Sequence, residues 1–394
     1  MRASARDPAY CGGMEHAWTH HFDRRSDERA EPGLLDRLLG DPATRVLEWS
    51  PQGCPVVEHR DGPQLWLREP RPADAGRLAL FLGRDAGDTA WVAVVMPDAD
   101  PSAEPAEHSN AEDELDADER PADQLDAAES DADETHADET DAGEHDADQR
   151  EADERDVDEH DVDQRDADEQ AVTPGTPQIM GLRDVGALLP SDQVEAFMTT
   201  QALALWHASH THCPRCGTPT APAMAGWTRR CPNDGSEHYP RTDAAVIMAV
   251  TDTRDRLLMA RSPAWPAGRR SVLAGFVEPG ERLEAAVARE VLEEVGLPVR
   301  DVTYVGSQPW PLPASLMLGF TAVTDTEELS LTDGEIAEAE WYSRDDLRAA
   351  VADGSLGLPG PLSIARRLVE GWYGEPLTPP VELPFHRPDA ATSS

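Results

Sequence analysis

Gly275 to Leu297 reads GFVEPGERLEAAVAREVLEEVGL and places six glutamates within twenty-three residues. Leu283, Val287, Val291 and Val295 fall in one stripe at helical spacing, which predicts a helix over 283–295. Gly275 to Gly280 supplies the loop into that helix, and Gly296 is placed to end it as a left-handed cap. Glu290, Glu293 and Glu294 stand at i, i+3 and i+4, so they are expected to project together from the side opposite the apolar stripe. Like charges so spaced repel by roughly 0.2–0.5 kcal/mol per pair unless a cation sits among them. A hard divalent ion such as Mg2+ or Mn2+, which takes oxygen ligands and binds phosphate oxygens, meets that need. Arg289 can pair with a glutamate one turn on, such as Glu293.

Around this helix the apolar runs AAVIMAVTD, RLLMARS, SVLAGFV, VTYVGSQ, LMLGFTAVT and AEAEWYS read as strands, with further helices closing the chain. That alternation predicts a mixed sheet with helices packed on it, an α/β (α+β) sandwich over 241–375. Ser307 to Met317, SQPWPLPASLM, sets three prolines around a tryptophan and reads as a stiff, preshaped loop suited to a flat ring.

Upstream, Cys213 and Cys216 form a C-x-x-C turn, and Cys231 follows fifteen residues later, which is zinc-ribbon spacing over 212–240. The fourth ligand is open: Asp234, His238 and His212 are all within reach in sequence. Val194 to Trp206 recurs at helical spacing and leads into the cysteines, as the helical end (177–211) of an amino-terminal domain. In residues 1–96 the runs RVLEW, PQLWL, LALFL and AWVAVVM, punctuated by Gly and Pro, predict a small mostly-β domain.

Between these parts, 97–176, the composition changes. Asp116 to Gln170 is an eleven-fold pentapeptide repeat, and Pro101 to Gln170 holds 31 acidic residues against 4 arginines of the chain's net charge of −43. A five-residue period advances a helix by about 140°, so no apolar stripe forms. Disorder is the expectation, and the tract should add little to the folded protein. All 34 basic residues are arginine, which excludes a Walker-type phosphate loop and Schiff-base chemistry. No run is apolar enough for a membrane span, and MRASARDPAYCGG has no signal-peptide core. The expectation is therefore a cytoplasmic protein with no membrane partner, ending in a tail over 376–394.

Gly275, Glu281, Arg289, Glu290, Val291, Glu293, Glu294, Gly296 and Leu297 fill every fixed position of a pattern that resembles the Nudix signature. SQPWPLP, ten residues after the box, and HYPR at His238–Arg241 are similar to the NAD+ diphosphatase (NADH pyrophosphatase) branch of the Nudix hydrolases. This resemblance runs from about Pro177 to Tyr373. It departs from the branch at Leu312, where the family has Phe, and at Asp234, where it has the fourth Cys. It implies an α/β/α Nudix sandwich preceded by a zinc ribbon, and metal-dependent cleavage of NAD(H) into NMN(H) and AMP, with NAD-capped RNA as a further substrate. The resemblance implies that Glu290, Glu293, Glu294 and Arg289 are the catalytic set. Metal ligands would be the three glutamates, the Ala274 carbonyl and Glu335, with Glu338 and Glu340 as rivals of the last. Cys213, Cys216 and Cys231 would hold structural Zn2+. Gln308, Pro309, Trp310, Pro311, Leu312, Pro313, Ala314 and Ser315 would line the nucleotide site with Phe276, Tyr239, Arg183 and Ala365. A homodimer is implied as well. The competing readings are a Nudix enzyme for another dinucleotide, such as ADP-ribose, and a binding protein acting through its acidic repeats.

Overall fold

The computed structural model describes residues 22–97, 175–331 and 334–377. The acidic repeat and nearly all of the carboxy-terminal tail lie outside them. The amino-terminal part opens with α1 (Leu34–Leu39), then β1 (Arg45–Trp49), β2 (Cys54–His59), β3 (Gly62–Leu65), β4 (Leu67–Arg68), β5 (Ala79–Arg84) and β6 (Ala90–Val95). One sheet has the order β4-β1-β6-β5, with β1 and β6 parallel. Across the acidic insertion, β7 (Gln178–Met180) pairs with β2 to give a second sheet, β3-β2-β7. Residues 177–211 are thus not helical throughout. A strand comes first, because the open edge of β2 offers it a ladder of hydrogen-bonding groups.

After α2 (Leu182–Val185), the long α3 (Ser191–Ser209) lays Val194, Phe197, Met198, Leu203 and Ala204 into the core beside Leu47, Leu80 and Trp91. His207 near its end is buried and bonds Gly226 O at 2.8 Å and Arg229 Nη1 at 2.8 Å. That network ties α3 to the small sheet of β8 (Ala221–Ala223), β9 (Thr228–Arg230) and β10 (Glu237–His238).

The carboxy-terminal sheet is built from β11 (Asp243–Thr251), β12 (Leu257–Arg261), β13 (Leu273–Phe276), β14 (Arg300–Trp310), β15 (Ser315–Val323) and β16 (Glu338–Tyr342). Its order is β14-β15-β11-β12-β16, with β13 also on β11, and β11 and β15 run parallel. Strand β11 is apolar along its length because both its faces are covered. Val246, Met248 and Val250 meet Val287, Val291 and Val295 of α4 (Leu283–Val295) on one face. Ala245, Ile247 and Ala249 meet Ile364, Ala365 and Leu368 of α6 (Ile364–Tyr373) on the other. Helix α5 (Arg344–Ala352) adds Leu347 to this second layer. The result is the α/β/α sandwich expected from the sequence.

Helix α4 has the predicted bounds, and Gly296 closes it at φ 73° with its N–H on Leu292 O. The segment read as a proline loop differs. Ser307 to Trp310 continues β14, and Pro309 sits opposite Leu316 in the ladder. Strand β14 lies at the sheet edge, where a residue without N–H is tolerated. Only 311–314 turn.

Candidate active site and metal centre

The sheet register gathers the site at one end. Asp243 opens β11 opposite Ser315, its N–H reaching Ala314 O at 2.8 Å, and Phe276 closes β13 opposite Ala245. Directly paired residues share a face, so Phe276 and Ala274 lie on the α6 side while Gly275, opposite Val246, lies on the α4 side. A Cβ on Gly275 would fall 1.9 Å from Glu290 Cδ and 2.2 Å from both carboxylate oxygens. Glycine therefore opens the space into which the Glu290 carboxylate folds.

The three signature glutamates do not share one exposed side. Glu290 and Glu294, one turn apart, are 9 % and 5 % exposed and face the sheet, whereas Glu293 is exposed. Burial pushes the Glu290 carboxyl above its ordinary value. Hydrogen bonding to Arg289 works against that shift, and the charges of Glu293 and Glu335 add to it. Burial thus disfavours the bare carboxylate, and a cation beside it would offset the missing solvation.

Arg289 holds the loop and the helix together. Its Nε and Nη2 take both oxygens of Glu281 at 3.0 and 2.9 Å, Nη2 also donates to Phe276 O at 2.9 Å, and Nη1 donates to Glu290 at 2.8 Å and Glu293 at 3.0 Å. These bonds hold Glu281 below the usual carboxylate range and raise Arg289 above its ordinary value. All of the Arg289 donors are thus spent on protein groups.

Among the three acidic candidates outside the helix, geometry separates one. Strand pairing sets Glu338 opposite Arg261, and it bonds Arg261 at 2.8 Å and Arg270 at 2.9 Å. Glu340 takes Arg270 at 3.2 Å and the Tyr342 hydroxyl at 2.9 Å. Glu335 is the one whose charge acts on Glu290. The signal missed in the sequence was the alternation in AEAEWYS, which commits Glu338 and Glu340 to the arginines across the strand.

The residues expected to line the nucleotide site divide. Tyr239 and Phe276 are large aromatics left 66 % and 44 % exposed. Pro309 and Pro313 are exposed, Leu312, Ala314 and Ser315 are half-buried, and Pro311 is buried. Trp310 packs in the α6-side core. Gln308 is fully buried, its amide donating to Leu362 O at 2.7 Å and accepting from Ile364 N at 2.6 Å. It is a structural tie rather than a groove residue. Ala365 is buried in the first turn of α6, whose start Ser363 caps through Ala365 N. Arg183 lies on α2, whose C-cap Gly186 abuts Leu362 just before that turn.

A second cluster stands in the ribbon. Ligand atoms of Cys213, Cys216, Cys231 and Asp234 all lie within 4.8 Å of one another. The two arms are built alike. In CPRCG, Cys213 N bonds Thr218 O, Gly217 N bonds Cys213 O, and Gly217 has φ 70°. In CPNDG, Cys231 N bonds Ser236 O, Gly235 N bonds Cys231 O, and Gly235 has φ 73°. Asp234 thus occupies the place that Cys216 holds in the other arm, and Ser236 N and Oγ fix its Oδ1 at 2.9 and 2.6 Å. His212 bonds Thr211, and His238 bonds Ser236, whose Oγ also reaches Asp234 and Cys213, so His238 touches the four-residue cluster only through Ser236. The repeated C-P-x-x-G pattern was the signal for this assignment in the sequence. Three sulfurs and a carboxylate at this spacing fit tetrahedral Zn2+. Hydrogen bonds from Thr218 lower Cys216 to about 6, burial pushes Cys231 up to about 11, and bonds from Ser236 hold Asp234 far below the usual range.

Comparison with known proteins agrees with this geometry. A NUDIX domain profile matches residues 240–357, and an NADH pyrophosphatase zinc ribbon domain profile matches 208–239. A Mycobacterium bovis protein named NAD-capped RNA hydrolase NudC is 48 % identical over 204 residues, 50 % of this chain and 65 % of that one. A Chromobacterium violaceum protein of the same name is 43 % identical over 188 residues, 48 % of this chain and 68 % of that one. The chain thus spans about two thirds of the length of these relatives. It belongs to the Nudix hydrolase family, in the branch marked by an NADH pyrophosphatase zinc ribbon ahead of the NUDIX domain.

Proposed function

We propose that the protein hydrolyses the pyrophosphate bond of NAD(H), giving NMN(H) and AMP, and acts on the same bond at the end of NAD-capped RNA. The observation that carries this reading is a cluster of carboxylates, with Glu290 folded against Gly275 and Glu294 buried one turn on, at the sheet end that also presents Phe276 and the 311–314 turn. Glu290 and Glu294 would hold Mg2+ or Mn2+, with Glu335 and the Ala274 carbonyl adding oxygens from outside the helix. The bound ion supplies charge neutralisation at the pyrophosphate and a water of lowered pKa. Glu293, exposed and bonded to Arg289, would take a proton from the attacking water or add a further oxygen to the ion.

The nucleotide ring would lie on the α6 side of the sheet against Phe276, with Tyr239, the turn and the first turn of α6 about it. The pyrophosphate would cross the sheet end to reach the glutamates. Names of the relatives, NAD-capped RNA hydrolases, support including the RNA cap as substrate. Action as a cytoplasmic homodimer belongs to the same proposal. Among the described residues no helix is long and apolar enough to cross a membrane, and light scattering on the full chain tests the dimer.

The decisive experiment is hydrolysis of NADH by the purified full-length protein with Mg2+ or Mn2+, with products separated by chromatography. Glu293→Gln and ADP-ribose as competing substrate run in parallel. NMNH and AMP that appear only with metal and vanish in the variant are expected. Intact NADH beside cleaved ADP-ribose would assign the enzyme to another dinucleotide.

A further inference from the structure

We propose that Gln201, on the long helix of the amino-terminal part, is a positioning residue for substrate. It restrains the 311–314 turn, and Gln308 carries that restraint to the start of α6. This inference rests on the dinucleotide reading above.

Gln201 is 6 % exposed on a helix whose neighbouring residues Phe197, Met198, Leu203 and Ala204 are core. A buried amide is unfavourable unless bonded, and this one donates through Nε2 to Pro311 O at 2.7 Å, 110 residues away. Pro311 and Pro313 have no N–H, and the backbone bonds at the turn are Leu312 N to Trp310 O and Asp243 N to Ala314 O, both at 2.8 Å. The Gln201 bond adds a tie at Pro311 O that neither of these supplies. Gln308, three residues before Pro311, spends both ends of its amide on Leu362 O and Ile364 N. Ile364 N is among the first N–H groups of α6, which no carbonyl within the helix can satisfy. The same residue packs tightly on β15, since a Cβ on Gly319 would sit 2.8 Å from Ile364 Cδ1. Leu362 packs against both the amino-terminal core and the α6-side core.

These contacts form a path from α3 to the turn, along β14, and on to the α6 start. All of it lies on the face of the sheet away from α4 and its carboxylates. Loosening the path should therefore weaken binding of the nucleotide and leave the chemical step alone.

The test compares the full-length protein with Gln201→Met, which keeps side-chain length without a donor, and Gln201→Ala. KM and kcat for NADH are measured at saturating Mg2+, together with hydrogen exchange at the amides of Leu312, Ala314, Ser315, Ile364 and Ala365. The loss of one buried bond predicts a KM raised about fivefold to tenfold with kcat within about twofold. Faster exchange confined to those amides is expected with it. An unchanged KM, or a fall in kcat with exchange raised throughout the domain, would overturn the proposal. If the wild type cuts no dinucleotide, the substrate reading falls and exchange alone judges the restraint. Local loss of protection in Gln201→Met then upholds it, and unchanged protection refutes it.

Discussion

Gly275→Ala is the sharpest test of how the carboxylate cluster is built. The backbone at Gly275 lies outside the left-handed region, so alanine brings no φ strain. The cost falls on Glu290, whose Cδ would lie 1.9 Å from the new methyl. To reach an ordinary carbon contact of roughly 3.5 Å the carboxylate must retreat by about 1.5 Å. Displacement of about 1 Å at a reacting centre costs on the order of 100-fold. The expectation is thus a fall of about 100-fold in kcat/KM for NADH, or about 2.7 kcal/mol. Mn2+ affinity, read by calorimetry or spin resonance, should weaken in parallel while the melting temperature changes little. A second substitution probes the cause: Glu290→Asp withdraws the carboxylate by one carbon–carbon bond, about 1.5 Å, and should restore part of the lost affinity in the Gly275→Ala background. A Gly275→Ala protein with Mn2+ affinity and kcat/KM within about threefold of the wild type would refute the reasoning.

Glu290→Gln should abolish divalent-ion binding yet leave the metal-free protein at least as stable. A carboxyl raised in the folded state contributes stability below its unfolded pKa that is lost as pH rises through the folded value. Melts in chelator should therefore show the variant gaining on the wild type as pH rises from the ordinary carboxylate value through the raised folded one, and the opposite trend would contradict the assignment. At Asp74 the sign reverses: burial pushes its carboxyl up, but bonds from Arg68 at 2.6 and 2.8 Å and from Arg71 N outweigh this and hold it down. Its contribution is present above the unfolded value and lost as pH falls through the folded one. Asp74→Asn should accordingly cost about 3 kcal/mol at pH 7, with the gap to wild type closing in acid, as denaturant titration would show. In the ribbon, Asp234→Ala should release Zn2+ to a chromophoric chelator faster than wild type. Asp234→Cys should hold it more tightly and strengthen the sulfur-to-Co2+ charge-transfer band of the cobalt-substituted protein. An unchanged band would remove Asp234 from the ligand set.

The helix of the signature was readable to its last residue because its apolar stripe and its closing glycine are both local features. The direction of its glutamates was not, since burying Glu290 depends on a glycine fifteen residues earlier arriving on a neighbouring strand. The mostly-β character of the amino-terminal part was legible from its apolar runs. The pairing of β2 with β7 was hidden, because more than one hundred residues separate Cys54 from its partner Met180. Pro309 argued for a loop on local propensity, and only the position of β14 at the sheet edge lets proline join a ladder. Gln201 carried no signal at all: in sequence it is one polar residue in an apolar helix, and its partner is a carbonyl that any residue possesses.

Strand β14 is eleven residues long and, among the described residues, pairs along one side only. A long, flat edge is a template on which other chains can add strands and grow into aggregates. This edge is neither flat nor continuous. Its register slips between Arg300 and Thr303 and again between Tyr304 and Gly306, Asp301 turns with φ 55°, and Pro309 removes a donor near the far end. An incoming strand would meet only short stretches of regular ladder, the last of them interrupted by Pro309, which disfavours edge-to-edge association at high concentration.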